Sequence, residues 1–270
     1  MLNIEIAMGY PMKPAHIKGA FLTATLLGTI VLAGCQPREM PNEEQAQSEA
    51  TTAVVESVPL LKVQAIPMTG FHKSVCEKEG CTQFDLQTIK SNVDWIDDYF
   101  TDRIRKAEPV AFSEISQAPA EEKDPAKLNQ HSVSVRYLGQ HYDIATFAMR
   151  SYSYSSGAAH GIYHIEYVNF DLKAKKRLAL QDILDKGSEQ KVLDALYEAN
   201  TNWLYNRQIE KAQLKLSDNY YYGANGIVFV YPLYELASYA EGMTELRLPY
   251  ESASGLIQAK YLPSLAKITN

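Results

Sequence analysis

Three stretches of apolar–polar alternation follow one another with no helix-forming segment between them, and they narrow the folds open to this chain. Val133, Val135 and Tyr137 alternate with polar neighbours, residues 142–153 continue through Ile144, Phe147 and Met149, and residues 162–170 set Tyr163, Ile165 and Tyr167 on one side. A period of two marks a half-buried strand. Parallel neighbours need a crossover of a dozen or more residues, so strands joined by short connections are antiparallel. The connector Gly-Ala-Ala-His-Gly at 157–161 is small and bounded by glycine, which suits a hairpin.

Helical spacing appears in two other places. Val93, Ile96, Phe100 and Ile104 recur at three and four residues, so a helix is expected over 92–106, with Ser91 as cap and Asp94 at the third position. Its Asp97, Asp98 and Asp102 read as a solvated face, and Arg103, Arg105 and Lys106 suit its C-terminal turn. A second helix is expected over 189–205, capped by Ser188 and burying Val192, Leu196, Ala199 and Trp203. Further strands are expected at 60–66, 227–231 and 245–248, and a short helical turn at 232–237. Residues 109–130 read as a loop or marginal helix, and Tyr220, Tyr221 and Tyr222 as a loop. Strands and helices in blocks predict an α+β fold: an antiparallel sheet with a few packed helices.

The N-terminus carries an address. An uncharged apolar run over 20–32 follows Lys13 and Lys18 and ends in Leu32-Ala33-Gly34-Cys35. It is too short to span a bilayer and has the layout of a secretory signal. Glu5 fits a signal poorly, so Met12 competes with Met1 as the start. The motif resembles a bacterial lipobox, which implies that residues 1–34 are a signal peptide and that Cys35 bears lipid at the mature N-terminus. Gln36 in place of aspartate implies, by the same resemblance, the outer membrane facing the periplasm. Residues 35–56 are rich in Gln, Glu, Pro, Ser and Thr and are expected to be a flexible tether. The folded part divides into 57–130 and 131–270.

The formal net charge of -6 argues against a nucleic acid partner, which demands a basic stripe. Cys76 and Cys81 flank a short polar loop with Gly80 and read as a disulfide in an oxidising compartment. Zinc is the rival, with His72 as the other ligand close in sequence.

The runs Tyr-Ser-Ser-Gly-Ala-Ala-His-Gly at 154–161, Tyr-Val-Asn-Phe-Asp-Leu at 167–172 and Leu-Ala-Leu-Gln-Asp-Ile at 178–183 resemble a domain of unknown function from bacterial envelopes. So do Gly-Ile-Val-Phe at 226–229, the run from Tyr234 to Gly242, and Leu-Pro-Tyr at 248–250. It is the extracellular domain of the anti-sigma factor RsiV and the peptidoglycan deacetylase PdaC, and the resemblance covers residues 133–257. It implies a non-catalytic binding module at the cell surface, with lysozyme as the kind of ligand RsiV takes. Neither anti-sigma nor deacetylase activity is carried over.

Tyrosine is the compositional oddity, at 18 against 8 phenylalanines. An apolar ring with a polar tip suits binding surfaces, and it also suits strand edges. Tyr152, Tyr154, Tyr163, Tyr167 and Tyr221, with His160 on the connector, form the candidate binding set. His160, His164 and Glu166 stand at even separations that could converge on a metal from an extended strand, but Gly161 sets a turn between them, and no metal or cofactor is expected. The Gly-x-Ser-x-Gly, HExxH, GxxxxGK and GxGxxG patterns are absent from the sequence, so no catalytic residue is named. The reading is a lipid-anchored binder of peptidoglycan or a lysozyme-like protein. The alternative is an envelope hydrolase acting on glycan or peptide.

Overall fold

A computed structural model describes residues 58–78, 80–114, 122 and 124–263 of the chain. Cys35, the signal peptide and the tether lie outside the described residues. In chain order the elements are β1 (Val63–Pro67), β2 (Ser74–Glu77), β3 (Gly80–Ser91), α1 (Asp94–Ala107), β4 (Leu128–His141), β5 (Ile144–Tyr154), β6 (Ile162–Asp171), β7 (Lys176–Leu178), α2 (Leu180–Ile183), α3 (Glu189–Ala199), α4 (Thr201–Asn206), β8 (Tyr220–Gly223), β9 (Gly226–Tyr231), β10 (Thr244–Pro249) and α5 (Tyr250–Ala253). The strands make two sheets: a larger one ordered β1-β3-β4-β5-β6-β7, with β2 also on β3, and a smaller one ordered β10-β9-β8. The fold is α+β as expected, with the central strands β4, β5 and β6 antiparallel. One pairing departs from the expectation: β3 and β4 are parallel, because the chain crosses over through α1 between them. The division drawn at residue 130 falls inside β4.

Two cores follow from this layout. In the first, Ile96, Phe100 and Ile104 of α1 pack on one face of the larger sheet, against Leu86, Val133, Val135, Phe147, Val168 and Phe170. In the second, the smaller sheet packs on its helices through Ile227, Phe229, Leu246 and Leu248 against Ile183, Val192, Leu196 and Leu204. The side-chain amides of two asparagines join the sheets. Asn169, 1% exposed, accepts from the Thr146 hydroxyl and donates to the Tyr220 carbonyl, both at 2.8 Å. Asn219 accepts from the Tyr167 N–H and donates to the Ile165 carbonyl, both at 2.7 Å, and so completes the edge of β6 beyond β7.

Several local expectations give way to tertiary contacts. Helix α1 begins at Asp94, later than expected. Ser91 makes no side-chain cap: its hydroxyl oxygen accepts from the Val93 N–H at 3.1 Å, before the helix begins, while its own N–H and hydroxyl donate to Asp97 at 2.9 and 2.7 Å. Asp97 is therefore buried, not solvated. The single helix expected over 189–205 breaks at Asn200, whose amide bonds both the N–H and the carbonyl of Arg247 on β10, at 3.2 and 3.0 Å. The break changes the helical phase: Leu204 is buried, while Ala199 is exposed and Trp203 only half-buried beneath the Arg207 guanidinium. Ser188 donates to the carbonyls of Asp185 and Leu256 and makes no side-chain cap. Tyr220, Tyr221 and Tyr222 are strand β8, not loop. Residues 232–237 make a non-helical turn with Tyr234 at φ 69°. Residues 60–62 precede β1, held by the side chains of Gln140 and Asn92.

Cys76 and Cys81 are bonded across the β2–β3 hairpin, where they are register partners. His72 lies apart from them, with its Nε2 3.1 Å from the Ser113 carbonyl. Closing so short a loop is worth about 2 kcal/mol on the chain-entropy estimate. Reducing the protein is expected to lower its unfolding free energy by about that amount, measured by urea titration with and without dithiothreitol. A loss above about 4 kcal/mol would show that the bond does more than staple this hairpin.

Candidate functional site

The two faces of the larger sheet differ in kind. One carries α1 and the first core. On the other, register sets up rows of polar and aromatic side chains. Asp85 on β3 pairs with Ser132 on β4, Ser132 with Tyr152 on β5, and Tyr152 with Tyr163 on β6, one row across four strands. Beside it run Gln83, Gln130 and Tyr154, and on the other side Ser134, Arg150 and Ile165. Alternation places all of these on the side opposite Phe84, Val133 and Phe147. Between β3, β5 and the β1–β2 connection the face opens into a groove of about 820 Å3, lined by Gln83, Asp85, Gln130, Ser132, Arg150 and Tyr152.

The candidate tyrosines fall along this face. Tyr152, Tyr154, Tyr163 and Tyr167 are all half-buried, so each offers part of its ring to solvent. The Arg150 guanidinium lies 5.7 Å from the centre of the Tyr163 ring. Gly161, at the start of β6, lies directly under the Tyr152 ring, where a methyl group would overlap Cε2, Cζ and the hydroxyl. His160 stacks on Tyr239 at 4.0 Å, and the Tyr239 hydroxyl donates to the Gly161 carbonyl at 2.9 Å. Tyr221 reaches over from β8 to stack on Tyr167 at 4.4 Å, and its hydroxyl donates to Glu245 at 3.1 Å. Burial, and then the Glu245 charge, raise both phenols: Tyr221 is pushed up to about 12 and Tyr167 also stands above the ordinary tyrosine value. Both remain neutral hydrogen-bond donors at any physiological pH.

These contacts tie His160 to Tyr239 and Tyr167 to Tyr221 as separate pairs, while Tyr152, Tyr154 and Tyr163 share the face by register. They do not assemble the histidines with an acid. His164 and Glu166 project on the α1 side of β6, opposite Tyr163 and Tyr167. Glu166 is taken up by Arg103 and by Arg177, the latter at 3.4 Å. The Nδ1 of His160 is 3.1 Å from the Gly161 carbonyl. Among the described residues no group of three or more His, Cys, Asp or Glu is arranged to hold a metal ion.

Residues 171–251 match the family model described as a protein of unknown function, DUF3298. Over these residues the chain is similar to the DUF3298 family. Two solved structures share the fold. A DUF3298 family protein from Pseudomonas aeruginosa PAO1 aligns with a TM-score of 0.59 and 20% identity over 77% of this chain and 98% of that one. A member of the same family from Bacteroides fragilis NCTC 9343 aligns with a TM-score of 0.54 and 16% identity over 75% and 95%. No curated protein sequence matches the chain. The DUF3298 span runs from the end of β6 through the smaller sheet into α5. It therefore includes Tyr221 and Tyr239, while the groove and the other candidate tyrosines lie in the strands before it.

Sequence reasoning missed the polar half of the site. Gln83, Asp85, Gln130 and Ser132 alternate with apolar residues and look like any solvent face. Only the pairing of β3 with β4 shows that they continue the tyrosine rows.

Proposed function

We propose that this chain is a lipid-anchored protein of the bacterial envelope, of the RsiV and PdaC type, whose polar sheet face binds the glycan of peptidoglycan. The reading is carried by the four-strand row of Asp85, Ser132, Tyr152 and Tyr163 at the border of the 820 Å3 groove. A sugar ring offers C–H faces, which pack on aromatic rings, and a rim of hydroxyls, which pair with carboxylate, amide, hydroxyl and guanidinium groups. The row and the flanking Gln83, Gln130 and Arg150 supply both kinds of partner on rigid strands. From β3 to β6 they span about 14 Å, enough for an extended polymer and more than a single small solute needs. A lysozyme-like protein is the competing ligand.

Sedimentation with purified sacculi tests the reading, with immobilised lysozyme as the second arm. The intact protein is expected to pellet with sacculi, and Tyr152→Ala to weaken binding about tenfold, the equivalent of about 1.4 kcal/mol. Gly161→Ala is expected to do the same while leaving the unfolding midpoint nearly unchanged, because its methyl displaces the free end of a side chain and not backbone. Retention on lysozyme alone would transfer the site to a protein partner. Retention on neither would overturn the proposal.

A further inference from the structure

The end of the larger sheet away from His160 presents a second surface. Here the described chain begins. The Gln140 side chain accepts from the Leu61 N–H at 2.9 Å and donates to the carbonyls of Pro59 and Tyr142 at 3.2 and 2.9 Å, tying the entering strand to the tip of the β4–β5 hairpin. Around this knot stand three of the six exposed large apolar side chains among the described residues: Leu60 at 72%, Tyr142 at 71% and Leu138 at 44%, the others being Ile162, Tyr205 and Tyr234. Tyr142 sits at the hairpin tip with φ 50°, a left-handed conformation that a glycine or asparagine adopts more cheaply. Its ring packs on that of His141 at 4.6 Å. Next to it a hollow of about 410 Å3 is bordered by His141, Tyr142, Asp143, Asp171, Lys173 and Lys260, with Asp171 buried beneath it.

We infer that this end rests on the membrane surface, with Tyr142, Leu60 and Leu138 at the headgroup level and the Lys173 and Lys260 ammonium groups toward anionic lipid. The inference rests on the lipid-anchored reading of Cys35. Tyrosine favours the membrane–water interface because one end of it is apolar and the other wet, and lysines beside it add attraction to acidic headgroups. Position in the chain makes lipid the occupant. Cys35 precedes Val58 by 23 residues. A coil of that length spans about 25 Å on average. The opposite end of β5, by the His160 connector, lies about 35 Å from the hairpin tip. The end that receives the tether is therefore the end that lies nearer the bilayer on average. The tyrosine rows toward His160 then face away from the membrane.

The experiment uses the full lipidated chain in vesicles of phosphatidylethanolamine and phosphatidylglycerol. A fluorophore is placed at Tyr142→Cys or, at the far end, at Ala158→Cys, and is quenched by headgroup nitroxides. Quenching is expected to be several-fold stronger at 142 than at 158. Adding Leu60→Ser and Leu138→Ser is expected to reduce quenching at 142 by at least half. Equal quenching at the two positions, or no effect of the serines, overturns the inference while leaving the anchor intact. Failure of the protein to float with vesicles at all refutes the anchor first, and the inference falls with it. Loss of sacculus binding leaves both untouched, because that reading is measured on the other end of the sheet.

Discussion

Phe170→Ala is expected to lower the unfolding free energy by about 3–5 kcal/mol. Phe170 is fully buried on β6, and its ring meets those of Trp95 and Tyr99 at 5.1 Å, Phe147 at 5.7 Å and Phe100 at 5.8 Å. Truncation removes the transfer free energy of the ring and leaves a cavity that four large neighbours from two elements cannot fill without moving α1 off the sheet. The edge-to-face contacts add to the loss, though they share neighbours and do not sum. Urea denaturation followed by far-ultraviolet circular dichroism measures the change, and a loss below about 1 kcal/mol would show that the first core is looser than its packing implies. Because β6 carries Tyr163 and Tyr167 on its other side, the same substitution loosens the platform of the proposed binding face.

Gly226→Ala acts on the smaller sheet, and its expected cost is about 2–3 kcal/mol. Gly226 opens β9 opposite Pro249 of β10. A methyl group there would overlap the Leu248 carbonyl oxygen and stand 2.9 Å from its carbon and 3.0 Å from the Pro249 Cα. Every one of these neighbours is backbone. Relief requires β10 to move, and β10 is pinned on its outer side by Asn200. Gly161→Ala makes the instructive contrast, since the atoms in its way belong to one tyrosine side chain. The two variants, compared by thermal unfolding and by sacculus binding, are expected to separate: Gly226→Ala shifts the melting temperature, and Gly161→Ala shifts binding. Equal stability losses would contradict this account of both sites.

Much of the frame was legible because hydrophobic period reports burial directly. Strands β4, β5 and β6, the buried stripe of α1 and the disulfide hairpin all follow from residue type and spacing. The failures share a cause: a polar side chain found a distant backbone group. Asn200 is an unremarkable mid-helix residue until β10 arrives beside it. Asp97 looks like one of several surface acids until Ser91 is folded back onto it. Tyr220 and Tyr222 read as loop because three consecutive tyrosines show no alternation, yet Tyr220 is 1% exposed and belongs to the second core. The binding face was half legible for a related reason. Its tyrosines stand out by type, whereas its glutamines and serines gain meaning only from the parallel β3–β4 pairing, which depends on a crossover that no local pattern encodes.

The Asn219 and Asn200 amides, which pair with the backbones of β6 and β10, have a consequence for how neighbouring copies of the chain meet. Each occupies donors and acceptors that would otherwise be offered to the strand of a neighbouring copy, one on β6 and one on β10. Where molecules meet at high local concentration, open strand edges zip into fibres. At these two places the lateral route is closed by a side chain of the same polypeptide.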